Sequence, residues 1–359
     1  MKKTLIALAT LAATGTAFAQ SSVSITGTAD IAYMNVGGGS SVVKNQTLNS
    51  SYNGSSTSAI NFVSSEDLGG GLRATARVEL DPRAILVDGG SIATHQTFVE
   101  LSGGFGAVKL GRVNTPSLDA FGAASPLGTA VGGGYGLTNA GVGMATRHAR
   151  SVRYDTKAMN GFTAAVQYAP GADNTTADSF AGIPNQRQVT EVGLRYAKGP
   201  LTVAFANISS DGTTNLVTAT VVPVNTAKSS FQTIGVNYAI GSTTLFAGWN
   251  KGDTIGAAAS AAGLFPLGAI NANQATDGTR FGLRHVMGVI TLNGSYAKQD
   301  IGAITRKVTG LRAEYALSKR SAVYAAYENF DTGRAASAAT NALEGGKINT
   351  TAIGVRHTF

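Results

Sequence analysis

From Ser22 to the last residue the chain is written in period two, and the connections between its segments are sorted by length. In the first segment Val23, Ile25, Gly27, Ala29, Ile31 and Tyr33 share one face, and Ser24, Thr26, Thr28, Asp30 and Ala32 the other. In a later one Leu72, Ala74, Ala76 and Val78 oppose Arg73, Thr75, Arg77 and Glu79. Successive side chains of a strand point to opposite faces, so this pattern predicts strands with one apolar and one polar side. Sixteen such segments can be drawn, the last spanning 348–359. They join in pairs at turns of two to five residues, such as Asp67-Leu68-Gly69-Gly70-Gly71, Gly103-Gly104-Phe105 and Lys198-Gly199-Pro200. These turns strictly alternate with longer loops rich in Gly, Ala, Asn and Thr.

Short turns at one end and long loops at the other are the pattern of an outer-membrane barrel, whose tilted strands need roughly 9–11 residues to cross. The expected fold is all-β: a sixteen-stranded antiparallel transmembrane β-barrel. A soluble β-sandwich is the competing architecture, but it would have shorter strands and no reason to sort its connections by length.

The first nineteen residues read as a signal peptide, leaving 20–359 as one barrel domain. Lys2-Lys3 form a basic start, Leu5 to Ala17 an apolar stretch, and Ala17-Phe18-Ala19 a small-residue cleavage site. No other segment approaches the roughly 18 apolar residues that a membrane helix requires. Charged residues make up 13% of the chain, low against about 25% for soluble domains. Cysteine is absent, so neither disulfides nor thiolate metal sites are available. Without the two signal lysines, 26 Lys and Arg face 20 acids, a modest excess that does not point to nucleic acid.

Tyr154, Tyr168, Tyr196, Tyr238, Tyr296, Tyr315 and Tyr327 fall near strand ends on the apolar face, where membrane barrels carry aromatic girdles. Outer-membrane lipid and lipopolysaccharide are the expected surroundings. The chain ends with Ile353, Val355, His357 and Phe359 on one face. The Val355, His357, Phe359 ending resembles the C-terminal signal by which the barrel-assembly machinery recognises its clients.

The longest connection, from Val113 to Ser151, carries some thirty Gly-, Ala- and Thr-rich residues without a helical or strand period. Loops of that length are usually functional or disordered. The expectation is that this one folds into the lumen and narrows it, facing arginines; a floppy surface loop is the rival reading.

Several segments are similar to motifs of the Gram-negative general porins, with the beta-proteobacterial branch nearest. They are Ser65-Glu66-Asp67-Leu68-Gly69-Gly70-Gly71-Leu72, Phe98-Val99-Glu100-Leu101-Ser102-Gly103-Gly104-Phe105-Gly106, Leu110-Gly111-Arg112, Ser151-Val152-Arg153-Tyr154 and Ile353-Gly354-Val355-Arg356-His357-Thr358-Phe359. The resemblance covers essentially the whole chain after the signal. It implies a homotrimer in the outer membrane of a Gram-negative bacterium, with a third outer loop (loop 3, about Asn114 to Thr146) folded inward. It also implies passive diffusion of small hydrophilic solutes, with anions favoured where the constriction is rich in arginine. Arg147 stands where a family constriction arginine belongs. Ala59 or Val63 occupies a second such position and His95 lies near a third, while Asp119 is the only acid of loop 3.

Parity assigns the lumen face independently. Arg73, Arg77, Lys109, Arg153, Arg195, Arg280, Arg284, Arg312 and Arg356 oppose the apolar face, as do Asp30, Glu79, Glu191, Glu314 and Glu328. A fixed positive field in a narrow passage concentrates anions. Arg147 and Arg153 are the leading candidates for selectivity, followed by Arg73, Arg77 and Lys109. Arg150 has the opposite parity and would need a bulge to point inward. His95, on the lumen wall, would add positive charge below about pH 6.5. About half of the inward arginines are expected to pair with acids across strands.

No catalytic or cofactor pattern is evident. His95, His148, His285 and His357 are scattered without metal spacing, and no G-x-S-x-G elbow occurs. The expected function is a general, mildly anion-selective diffusion pore. Its alternative is a channel whose arginines form a binding ladder for phosphate or organic acids.

Overall fold

The computed structural model describes residues 22–38, 45–48, 54–82, 92–135, 144–170, 188–211, 228–254, 274–333 and 346–359. The predicted signal segment lies outside these residues, as does 136–143 of loop 3.

The strands in chain order are β1 (Ser22–Gly38), β2 (Asn45–Leu48), β3 (Ala59–Gly69), β4 (Leu72–Asp81), β5 (Ala93–Gly103), β6 (Gly106–Asn114), β7 (Arg147–Asp155), β8 (Phe162–Ala169) and β9 (Val189–Lys198). They continue as β10 (Leu201–Ser210), β11 (Ser229–Ile240), β12 (Thr243–Asp253), β13 (Ala275–Met287), β14 (Ile290–Ile301), β15 (Ile304–Ala316), β16 (Ser321–Asp331) and β17 (Lys347–Thr358). Among the described residues one helix, α1 (Pro116–Ala124), interrupts them.

Sixteen of these strands form the barrel wall. β2 is a four-residue piece that pairs with β1 at Tyr33–Val36, above the rung Thr28↔Ala59 where β3 begins. Wall neighbours pair antiparallel, and β1 pairs with β17 from Thr28↔Thr358 to Gly38↔Ile348, which closes the barrel. Phe359 completes the seam: its N–H donates to the Gly27 carbonyl at 3.0 Å, and the Gly27 N–H donates back at 2.9 Å. Closure pairs the edges that would otherwise stand open, the condition for a sheet to survive in hydrocarbon.

Two sequence expectations need correction. The strict alternation of turns and loops fails once: β14 and β15 stay paired up to Ile301↔Ile304, so only Gly302-Ala303 joins them at the loop end. Gly302 takes φ +54°, which suits a turn this tight. The second correction is α1, a regular helix inside the stretch expected to be irregular.

The faces fall as parity requires. Val23 is 73% exposed and Ile353 71%, while Asp30 and Glu191 are fully buried inside. The exposed residues include Tyr33, Leu110, Phe281 and Leu311, and the tyrosines Tyr154, Tyr168, Tyr238, Tyr296, Tyr315 and Tyr327. So large an apolar outer surface is foreign to water-soluble monomers and suits lipid.

Candidate functional site

Loop 3 enters the lumen from a pinned root. The Thr115 N–H donates to the Thr146 carbonyl at 3.1 Å, and its hydroxyl donates to the Ala145 carbonyl at 3.0 Å. The Thr115 side chain also caps α1 by accepting the Leu118 N–H at 3.1 Å, with Pro116 at the first helical position. Both are preferred starts, because the first N–H groups of a helix lack internal partners. The remaining need is met from the wall: the Ser117 N–H donates to Oε2 of the buried Glu191 on β9 at 3.0 Å. A carboxylate at a helix N-terminus also meets the positive end of the helix dipole.

From there the loop runs around the inner wall. Pro116, Ala120, Phe121, Ala123 and Ala124 are buried against it, whereas Gly122 faces open space and Asp119 is exposed. The wall is small where the loop passes. A Cβ on Gly235 would fall 2.0 Å from the Ala120 carbonyl oxygen, and one on Gly310 would fall 2.1 Å from that of Gly132. A Cβ on Gly193, Gly248 or Gly282 would fall 2.7, 2.5 or 2.4 Å from Pro116, Ala124 or Pro126. On β10 the buried Ala204 and Ala206 pack with Ala120 and Ala123.

The far end is clasped as firmly as the root. Glu328 on β16 accepts the Gly132 N–H at 2.8 Å; Ser295 donates to the Gly132 carbonyl and Arg280 to that of Gly133. The Arg280 guanidinium also lies 4.2 Å over the Phe121 ring, a favourable cation–π position. Arg284 donates to the Pro126 carbonyl at 3.1 Å and Asn237 to that of Ala123 at 3.1 Å. Val131 packs with Met34 and Tyr324. Tyr135 donates to the Met144 carbonyl at 3.1 Å, and burial, with Glu191 nearby, pushes its phenol well above the usual tyrosine range.

Opposite loop 3 lies a wall of mixed charge. Arg77 donates to Glu79 at 2.9 Å and to Asn61 at 2.7 Å. Arg147 stands 3.8 Å from Glu79, and His95 sits between Glu79 (3.2 Å) and Asp81 (3.1 Å). Gln96 donates to the same Glu79 at 3.1 Å. Both His95 and Gln96 face inward because the β4–β5 register shifts between Val78 and Leu80.

Arg153 is a strut. It donates to Asp155, to Asp119 on α1 at 3.0 Å and to the Asn114 carbonyl at 2.8 Å, and is 8% exposed. Lys109 holds Asp155 at 2.9 Å and stands 3.7 Å from Glu100. Arg73 is exposed near the short-turn end and donates to Ser65 at 3.3 Å. A bulge does fall at Arg150, where the β6–β7 register shifts between Gly111 and Val113 and Arg150 takes φ +51°, but it leaves the Arg150 side chain exposed. The bulge turns His148 and Ser151, three residues apart, both inward, and His148 reaches Glu191 at 2.7 Å. Val355, His357 and Phe359 point outward on the closing strand, and the His357 ring lies 6.5 Å from that of Phe359.

At least five of the nine inward cations named above pair with acids: Arg77, Lys109, Arg153, Arg312 and Arg356. The use of the acids is not legible in the strand pattern. Asp30, Glu191 and Glu328, each at most 3% exposed, accept backbone N–H groups from infolded loops. The one readable signal was Thr115-Pro116 followed by Asp119, a helix-start pattern.

A closed sixteen-stranded antiparallel barrel with its third outer loop laid along the inner wall defines a porin-type barrel. The family model described as Gram-negative porin matches residues 4–335, and the chain belongs to that family, whose members reside in the outer membrane. Outer membrane porin protein 32 of Delftia acidovorans is 38% identical over 202 residues, 50% of this chain and 53% of that protein. Major outer membrane protein P.IB of Neisseria gonorrhoeae is 33% identical over 162 residues, 42% of this chain and 40% of that protein. The chain thus spans about half the length, or less, of these curated relatives. Among solved structures, an anion-selective porin from Comamonas acidovorans superposes with TM-score 0.72 at 22% identity, covering 95% of this chain and 100% of that one. The trimer form of OmpT from Vibrio cholerae gives 0.63 at 17% identity, covering 94% and 99%.

Proposed function

We propose that this porin forms a water-filled channel for small hydrophilic solutes and ions, favours anions, and assembles as a homotrimer. One observation carries the anion preference. The deepest inward acids, Asp30, Glu191 and Glu328, are spent on loop backbone, while the Arg77 and Arg356 side chains remain 31% and 29% exposed. A carboxylate buried beneath a loop is screened from a permeating ion, whereas a guanidinium at the water boundary is not. The anion selectivity named for the Comamonas porin and the trimer named for the Vibrio protein support the same reading. Lipid and lipopolysaccharide would surround the trimer, and the barrel-assembly machinery would read the outward Val355, His357 and Phe359.

A second reading, a channel with a weak site for phosphate or organic acids, is favoured by Arg77, Arg147 and His95 gathering around Glu79. Single-channel conductance against salt concentration separates the two. A general pore keeps gaining current as salt rises, and a binding site saturates because each ion must leave before the next enters.

A further inference from the structure

We propose that the first long loop supplies a second pore-lining fold: Gly54–Ser58 form a lip inside the lumen, clasped by Asp30, that narrows the channel independently of loop 3. The wall opens at this point, because β3 ends its pairing with β1 at Thr28↔Ala59 while β1 continues to Gly38. Ser58 substitutes for the next rung. Its hydroxyl accepts the Asp30 N–H and donates to the Asp30 carbonyl, each at 3.0 Å.

The chain before it turns inward. The Ser55 and Ser56 N–H groups both donate to Asp30 Oδ2, at 2.6 and 2.5 Å, and the Tyr324 hydroxyl donates to Oδ1. Arg312 donates to the Ser55 carbonyl at 2.9 Å. These partners lie on β1, β15 and β16. All three alternate with outward neighbours, Ile31, Leu311 and Val323, so a segment touching all of them lies inside the barrel. Gly54 passes directly under Tyr324, where a Cβ would fall 1.8 Å from the hydroxyl. Ser55 and Ser58 are buried, and Ser56 and Thr57 are the partly exposed residues of the lip.

Asp30 therefore acts for loop 1 as Glu191 and Glu328 act for loop 3. It is a positioning residue, and the lip it holds presents hydroxyl-bearing residues to a passing solute. The two infolded loops share a wall residue, because Tyr324 also lies in a buried cluster with Val131 of loop 3.

The chain contains no cysteine, so Ser56→Cys places a single thiol on the lip. The proposal rests on the channel reading, which the unmodified variant tests separately by conducting at all. Treatment with an anionic methanethiosulfonate should then lower each open-channel step and shift the reversal potential toward cation preference. Asp30→Ala should raise the starting conductance and weaken that block; Tyr324→Phe, which removes one clasp, should move in the same direction by less. A thiol that reacts fully by mass yet leaves conductance and reversal potential unchanged overturns the proposal. So does one that fails to react in the assembled channel. The thiol measurement stands even if Asp30→Ala fails to assemble.

Discussion

The Ser117 backbone N–H points directly at the Glu191 carboxylate, 3.0 Å away across 74 residues of sequence. That contact joins the first turn of α1 to the wall of β9, and His148 holds the other carboxylate oxygen at 2.7 Å. The constriction is therefore fixed by a group that contributes little charge to the open lumen.

Replacing Glu191 by Ala should free the start of loop 3. A buried donor left without an acceptor costs about 1–3 kcal/mol, so the barrel should still assemble. Open-channel current noise should rise and loop 3 should become cleavable by protease. Wild-type noise and protease resistance would show that Glu191 does not hold the loop.

Gly248→Ala places a methyl about 2.5 Å from the Ala124 Cβ. Overpacking of this kind costs about 1–3 kcal/mol and is relieved here most easily by moving the loop toward the lumen. Conductance should fall in Gly248→Ala and recover in Gly248→Ala/Ala124→Gly. A double variant as narrow as the single one would place the effect elsewhere.

Arg147→Glu reverses one charge beside Glu79. A unit charge about 4 Å from a permeating ion in a water-like medium is worth about 1 kcal/mol, so the reversal shifts each ion's energy by at most about 2 kcal/mol, about thirtyfold against anions and about thirtyfold in favour of cations. Reversal potentials should move toward cation preference, and an unmoved value would remove Arg147 from the constriction. Arg153→Gln should behave differently: without the ion pairs that tie this position to Asp119 and Asp155, loop 3 should loosen, and the effect should appear first as noise.

Raising the pH through the histidine range, about 5 to 8, should lower anion preference by up to the worth of one unit charge. The group responsible is His95, held among Glu79, Asp81, Gln96, Arg77 and Arg147. His95→Gln should flatten the pH profile of the reversal potential. An equally steep profile in the variant would point to another group.

The wall was legible because period two states directly which side faces lipid. Ile31 against Asp30 and Leu311 against Arg312 are placed correctly by parity alone. The lumen was legible in sign and less so in detail. Parity puts Glu191 and Arg153 inside but says nothing of which loop atoms will reach them, since those contacts span long stretches of chain. Helix α1 was hidden because Ala-Phe-Gly-Ala-Ala lacks an amphipathic period: one side lies against a wall of glycine and alanine, which asks for small residues rather than large apolar ones. Gly302-Ala303 was missed because a strand pair that continues to its tip leaves no loop composition to read.

The most direct test is the zero-current potential of the purified wild-type channel in a planar bilayer across a KCl gradient. If the inward acids are buried under the loops and the arginines border the water, the potential takes the sign set by chloride. A potential set by potassium, in a channel that otherwise conducts, would contradict the account.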